Sequence, residues 1–272
     1  MPELPEVETV RRFLAPVLVG ERIAGVELRR ADLRGPFPER FAARLTGQTV
    51  LELHRRAKHL LADLSSGETL LMHLGMSGDF RVERDTQAQP LDKHDHVILR
   101  LASGAVVTFN DPRRFGSMDL VPTDQLAEHS VIGALGPEPL SASFTPSVLA
   151  RACRGRKTAI KVALLDQRIV AGLGNIYVVE ALHRAGLSPF RRASILATKT
   201  GAPLDAAVRL VPQIKKVLTE AIARAGNAGY RGGRFRVYDR EGRPCLRGQC
   251  SGTIRRRTQA GRSTFYCPVC QR

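Results

Sequence analysis

The chain has 272 residues, 43% of them hydrophobic, which is enough for real cores and longer than the usual single domain. It has no apolar run of about 18 residues, and acids stand where a secretory leader would carry lysines, so a soluble intracellular protein is expected. Lys and Arg number 42 against 26 acids, a net charge of +16, which points to nucleic acid as the partner.

The first ten residues, Met1 to Val10, read as the start of a helix. Pro5 suits a first turn, and Val7, Val10, Leu14 and Val17 share one face at helical spacing. Pro2 follows Met1, so removal of Met1 leaves a secondary amine with the carboxylate of Glu3 beside it. An α-amino group titrates near pKa ~8, so roughly a tenth is already neutral and nucleophilic at pH 7. The positive end of the helix dipole favours that neutral form. Such a terminus can form an iminium with a sugar carbon. An ordinary helix start explains the same acids, so the rest of the chain must decide between the two.

From about Arg22 to Leu120 short apolar runs alternate with Gly and polar turns. The predicted strands begin at Ile23, Thr49, His59, Thr69, His96 and Ala105, and their spacing suggests a sandwich or barrel. Arg55, Arg56, Lys58 and His59 place basic groups before one of these strands. A Pro- and Gly-rich stretch over 131–146 reads as a linker between a domain over 1–130 and one over 147–234. Helical spacing then recurs over 147–154, 158–167, 176–185 and 204–225. Between the second and third helices, Gly172-Leu-Gly-Asn175 turns into a helix start, where backbone N–H groups can grip a phosphate. Helices on both sides favour a helix–two turns–helix unit over a dinucleotide fold.

The last segment, 235–272, concentrates four of the five cysteines as Cys245-x4-Cys250-x16-Cys267-x2-Cys270. That pattern predicts one structural zinc holding a two-stranded finger with a turn at Gln259-Ala-Gly261. From Arg231 to Arg272 there are 11 arginines, no lysines and only two acids, so the finger carries Arg255, Arg256, Arg257 and Arg262 toward nucleic acid. Cys153 is expected as a small buried hydrophobe. Met76, in His73-Leu-Gly-Met-Ser-Gly78, and Phe115, in Asp111-Pro-Arg-Arg-Phe-Gly116, stand on loops from which they could wedge into a base stack.

Together with Lys93-His-Asp-His96 and Leu135-Gly-Pro-Glu-Pro139, these motifs run in order from Pro2 to Gln271, and the chain resembles the formamidopyrimidine-DNA glycosylases. The resemblance implies an α+β protein with an N-terminal helix and β-sandwich, followed by the helix–two turns–helix domain and the four-cysteine zinc hairpin. It implies a bifunctional DNA glycosylase and AP lyase of base excision repair that removes oxidised purines, a monomer acting on damaged double-stranded DNA in the bacterial cytoplasm. Pro2 is the implied nucleophile at C1′, Glu3 the acid for sugar-ring opening, Lys58 the proton donor in β-elimination and Arg262 the group serving δ-elimination. His94, Arg113, Lys157 and Asn175 are the implied DNA contacts, and Met76, Arg113 and Phe115 fill the gap left by the flipped base. Two departures stand out. The first cysteine pair is spaced by four residues where the family usually has two, and the loop over 226–236 is shorter than the family's lesion-capping loop. The rival readings are an endonuclease VIII-like enzyme for oxidised pyrimidines and a non-catalytic zinc-finger DNA binder.

Overall fold

Pro5 near the start and an apolar face make the first helix, α1 (Leu4–Leu18), which buries Leu4, Val7, Leu14 and Leu18. The computed structural model describes residues 2–84, 90–228 and 235–272, and the shortened loop falls largely outside them. These residues divide into two compact units, Met1–Gly133 and Ala134–Arg272.

The first unit carries β1 (Ile23–Leu28), a short α2 (Phe41–Leu45) and then β2 (Val50–Arg56), β3 (His59–Leu64) and β4 (Glu68–His73). It is completed by β5 (Asp79–Arg84), β6 (Asp95–Leu101), β7 (Ala105–Asn110) and β8 (Ser117–Pro122). Two antiparallel four-stranded sheets form, in the orders β1-β6-β7-β5 and β2-β3-β4-β8. One apolar cluster joins them: Leu60, Leu70 and Met72 from one sheet meet Val97, Leu99, Val107 and Phe109 from the other, with Val7 and Leu14 of α1. This is the expected sandwich. Two strands escaped the sequence reading, because β5 and β8 alternate apolar with charged or polar residues and show no apolar run. The basic stretch at Arg55 does not simply precede a strand. Arg55 and Arg56 end β2, Ala57 and Lys58 make the turn, and His59 opens β3.

The second unit begins with the stretch read as a linker, whose residues hydrogen-bond into it: Gly136 N–H donates to Gln167 O at 2.8 Å and Ala171 N–H to Pro137 O at 3.0 Å. Its helices are α3 (Pro146–Cys153), α4 (Ile160–Leu165), α5 (Asn175–Ala185) and α6 (Asp205–Ala228). Thr145 caps α3 and Gly186, in the left-handed region, ends α5. Between α4 and α5, Gln167 closes the two turns: its amide donates to the carbonyls of Leu165 and Leu173 and accepts from Gly172 N–H. A hairpin follows, β9 (Arg255–Gln259) and β10 (Arg262–Tyr266). Its two turn residues, Ala260 and Gly261, have φ of 49° and 70°, the geometry that a two-residue hairpin turn needs. Val237, Ile254, Phe265 and Cys267 pack on Val179 of α5 as a small separate core.

Candidate active site and nucleic-acid interface

At the start of α1, Pro2 is half-buried and Glu3 is buried. Glu3 occupies the N-cap, and its backbone N–H donates to Glu6 Oε2 at 2.8 Å, one half of a capping box. The helix dipole therefore points its positive end at Pro2 and Glu3. α1 packs against β2 and β3, whose connecting turn carries Lys58, itself only 8% exposed. An ion pair fastens helix to turn. Glu8, on the second turn of α1, accepts from Arg55 Nε at 3.3 Å, and Arg55 Nη1 donates onward to Ala57 O at 3.1 Å, next to Lys58. Arg11 and Arg12 also bind Glu8. Burial pushes the Glu8 carboxyl upward, but hydrogen bonds from Arg11 and Arg12 and the charges of Arg11 and Arg55 outweigh it, leaving Glu8 below its ordinary range. Glu8 and Arg55 were absent from the sequence-derived site, although Glu8 lies inside the N-terminal motif.

Beside Lys58, the rings of His59 and His73 lie 4.8 Å apart across the β3–β4 pair. Burial first, then the charge each feels from its neighbours, pushes His59 down to about 3 and His73 down to about 4, so both are neutral at pH 7. His73 Nδ1 accepts from Gly75 N–H at 3.1 Å, so the proton of the neutral ring sits on Nε2.

The two wedge loops are held together by backbone contact and one carboxylate. Gly75 has φ of 63°, and a Cβ there would run into the backbone of Phe115, so only glycine lets the Met76 loop lie against the Phe115 loop. Buried Asp111 accepts from Ser77 Oγ at 2.6 Å, from Gly116 N–H at 2.7 Å and from Arg113 N–H at 3.3 Å. Met76 is 40% and Phe115 42% exposed, and the Arg113 guanidinium stands 5.0 Å from the Phe115 ring centre. His94 is half-buried just before β6, its ring 6.4 Å from that of His96. Asp111 is the organiser that the sequence reading missed. The signal was an Asp before Pro at a loop start, a residue type that binds its own following backbone.

In the second unit, Asn175 opens α5. Its Nδ2 donates to Ser263 O at 3.0 Å, while its Oδ1 is buried without a partner among the described residues. Lys161 of α4, fully buried, donates from Nζ to the same carbonyl at 3.4 Å. Burial, and then the charge of Arg262, lowers the Lys161 ammonium to about 8. Lys161 too was missed, since on the sequence it sits inside an apolar helix face. Arg262, exposed at the first position of β10, adjoins this cluster through Ser263, whereas Lys157 is exposed on the α3–α4 connection. Arg255, Arg256 and Arg257 lie exposed along β9, Arg257 over the Phe190 ring at 5.8 Å.

Cys245, Cys250, Cys267 and Cys270 bring their Sγ atoms within 4.8 Å of one another, a group that could hold one metal ion. Cys245 and Cys270 are 3.8 Å apart, Cys250 and Cys267 3.6 Å. Cys153 is fully buried, and burial raises its thiol to about 11, in keeping with a packing role.

Residues 1–118 match the model of the formamidopyrimidine-DNA glycosylase N-terminal domain, and residues 135–231 match the formamidopyrimidine-DNA glycosylase H2TH domain. The chain is 56% identical over 293 aligned residues to a formamidopyrimidine-DNA glycosylase of Azorhizobium caulinodans, and 54% identical to that of Bradyrhizobium diazoefficiens, covering all of both proteins. A crystal structure of the Lactococcus lactis formamidopyrimidine DNA glycosylase bound non-covalently to DNA containing an AP site superimposes with a TM-score of 0.88 at 34% identity, covering both chains fully. The same enzyme with FAPY-dG-containing DNA gives 0.87 at 33%, over 99% of this chain and 100% of that one. Family models that together span most of the chain, relatives this similar over their full length, and the sandwich, paired turns and cysteine hairpin built by these residues converge: the chain belongs to the formamidopyrimidine-DNA glycosylase family.

Proposed function

We propose that this chain is a bifunctional DNA glycosylase and AP lyase of base excision repair that removes oxidised purines, 8-oxoguanine and formamidopyrimidines, and then cuts the strand. The observation that carries the proposal is the Pro2–Glu3 terminus at a helix start, tied through Glu8 and Arg55 to the turn bearing Lys58. Once Met1 is removed, the Pro2 nitrogen attacks C1′ of the damaged nucleotide and the base leaves with the glycosidic electron pair. Glu3 gives a proton to the ring oxygen as the sugar opens to the iminium. Loss of a C2′ proton then expels the 3′ phosphate, with Lys58 as proton donor, and a second elimination, served by Arg262, expels the 5′ phosphate. Water finally frees Pro2.

His94, Arg113, Lys157 and Asn175 grip the DNA in this reading, and Met76, Arg113 and Phe115 fill the stack from which the base is turned out, offsetting part of the unstacking cost. One chain supplies every group the chemistry uses, consistent with a monomer on double-stranded DNA in the bacterial cytoplasm. Zinc is the metal we assign to the four cysteines. Tetrahedral zinc with bonds of about 2.3 Å needs sulfurs about 3.8 Å apart, close to the two distances that the hairpin provides. With four thiolates and no open position the ion is structural, and the wider first cysteine spacing does not prevent the set from closing.

The purine preference is tested by excision from duplexes carrying 8-oxoguanine opposite cytosine or an oxidised pyrimidine. Faster release of 8-oxoguanine is expected. A reversed order would move the chain to the pyrimidine-preferring reading.

A further inference from the structure

A second basic site lies toward the far end of α5 from Asn175, about 13 Å along the helix. There a cavity of about 110 Å³ is lined by His183, Arg184, Gln213, Lys216, Arg236 and Arg247. Four cations from α5, α6 and two loops converge on it. The carboxylate beside them, Glu220, is held by Arg184 at 2.8 Å and stands 3.9 Å from Arg224. That hydrogen bond first, then the charges of Arg184, Lys216 and Arg224, keep Glu220 below its ordinary range, so its charge is already committed. Arg184 is 10% exposed, and its Nε is buried without a partner among the described residues. Arg247 leans only weakly on the His183 carbonyl, at 3.5 Å. Gathering cations in this way is unfavourable unless an anion joins them.

The shape of the donor set narrows the anion. Guanidinium, ammonium and amide groups approach from several elements, which suits the spread oxygens of a phosphate better than the two coplanar oxygens of a carboxylate. His183 completes the wall of the cavity from α5, and the cavity lies toward the opposite end of that helix from the Asn175 start assigned to DNA. We propose that this cavity binds a phosphate monoester or inorganic phosphate, separately from the surface assigned to damaged DNA.

The full-length, metal-loaded protein is titrated calorimetrically with inorganic phosphate and with a nucleoside monophosphate, against chloride at matched ionic strength. Saturable binding of phosphate is expected, weakened at least about tenfold in Lys216→Glu, an exposed position on α6 whose change leaves circular dichroism and metal content intact. Binding of abasic duplex by that variant should be unchanged. If the monophosphate binds more tightly than inorganic phosphate, an ester is the natural occupant; the reverse order assigns the free ion. Phosphate acting no differently from chloride, or binding Lys216→Glu equally well, overturns the proposal. So does a variant that loses duplex affinity and keeps phosphate, because the cavity would then be part of the DNA surface.

Discussion

Glu8, Arg55, His59 and His73 surround the turn that carries Lys58, and each has a state fixed by its neighbours. Glu8 and Arg55 are both 12% exposed, so breaking one side of the pair costs more than at a surface ion pair, because a charge is left in a poorly solvated place. Arg55→Ala should therefore lower lyase turnover through a displaced Lys58, with substrate affinity less affected; equal loss in both would mean that Arg55 grips DNA directly. The histidines make a pH-dependent prediction. Their folded pKa values, about 3 and about 4, lie below the unfolded value near 6.5, so the unfolded chain binds more protons throughout that window. The contribution is fully present above pH 6.5 and is lost as pH falls toward 4 and 3. Between pH 7.5 and 5, His59→Gln should lose about 1–2 kcal/mol less stability than the parent, read from urea midpoints. Identical pH slopes would show that His59 titrates alike in the folded and unfolded chain and that burial does not hold it neutral.

The wedge loops and the cysteine hairpin depend on local devices that differ in how far the sequence reveals them. Gly75→Ala forces a Cβ into the Phe115 backbone at a positive φ and should cost the folded loops about 1–3 kcal/mol. Excision from duplex DNA should fall while metal content stays the same; unimpaired excision would show that the two loops need not touch. Removing the metal should release the hairpin from its small core on Val179 and weaken binding to damaged DNA. Unchanged binding by demonstrably metal-free protein would deny the hairpin that role. The cysteine cluster was legible because four thiols at such spacing have few other uses, and the turn at Ala260-Gly261 was legible from its residue types. Strands β5 and β8 were hidden because half of each is polar. Gly75 and Lys161 were hidden for another reason: each acts on residues brought near only by folding, and no local pattern records the partner. Asp111 did carry a local signal, but that signal says nothing of its distant partner Ser77.

Across the whole molecule, a net charge of +16 sets the long-range attraction to DNA, while the motifs divide the work between the two units. The family resemblance was readable because its motifs recur in order along the chain, and the geometry adds how they are braced. The charge predicts strong salt dependence: Arg255→Ala on β9 should reduce the slope of log K against log salt by about 1, and an unaltered slope would remove that arginine from the phosphate contacts. The central claim, however, is covalent. Borohydride reduction during reaction with a duplex carrying 8-oxoguanine opposite cytosine should trap a protein–DNA adduct through the Pro2 nitrogen. The adduct should disappear in Pro2→Gly while that variant still binds abasic DNA. An undiminished adduct in Pro2→Gly, or none from the parent on lesion or abasic DNA, would contradict the account.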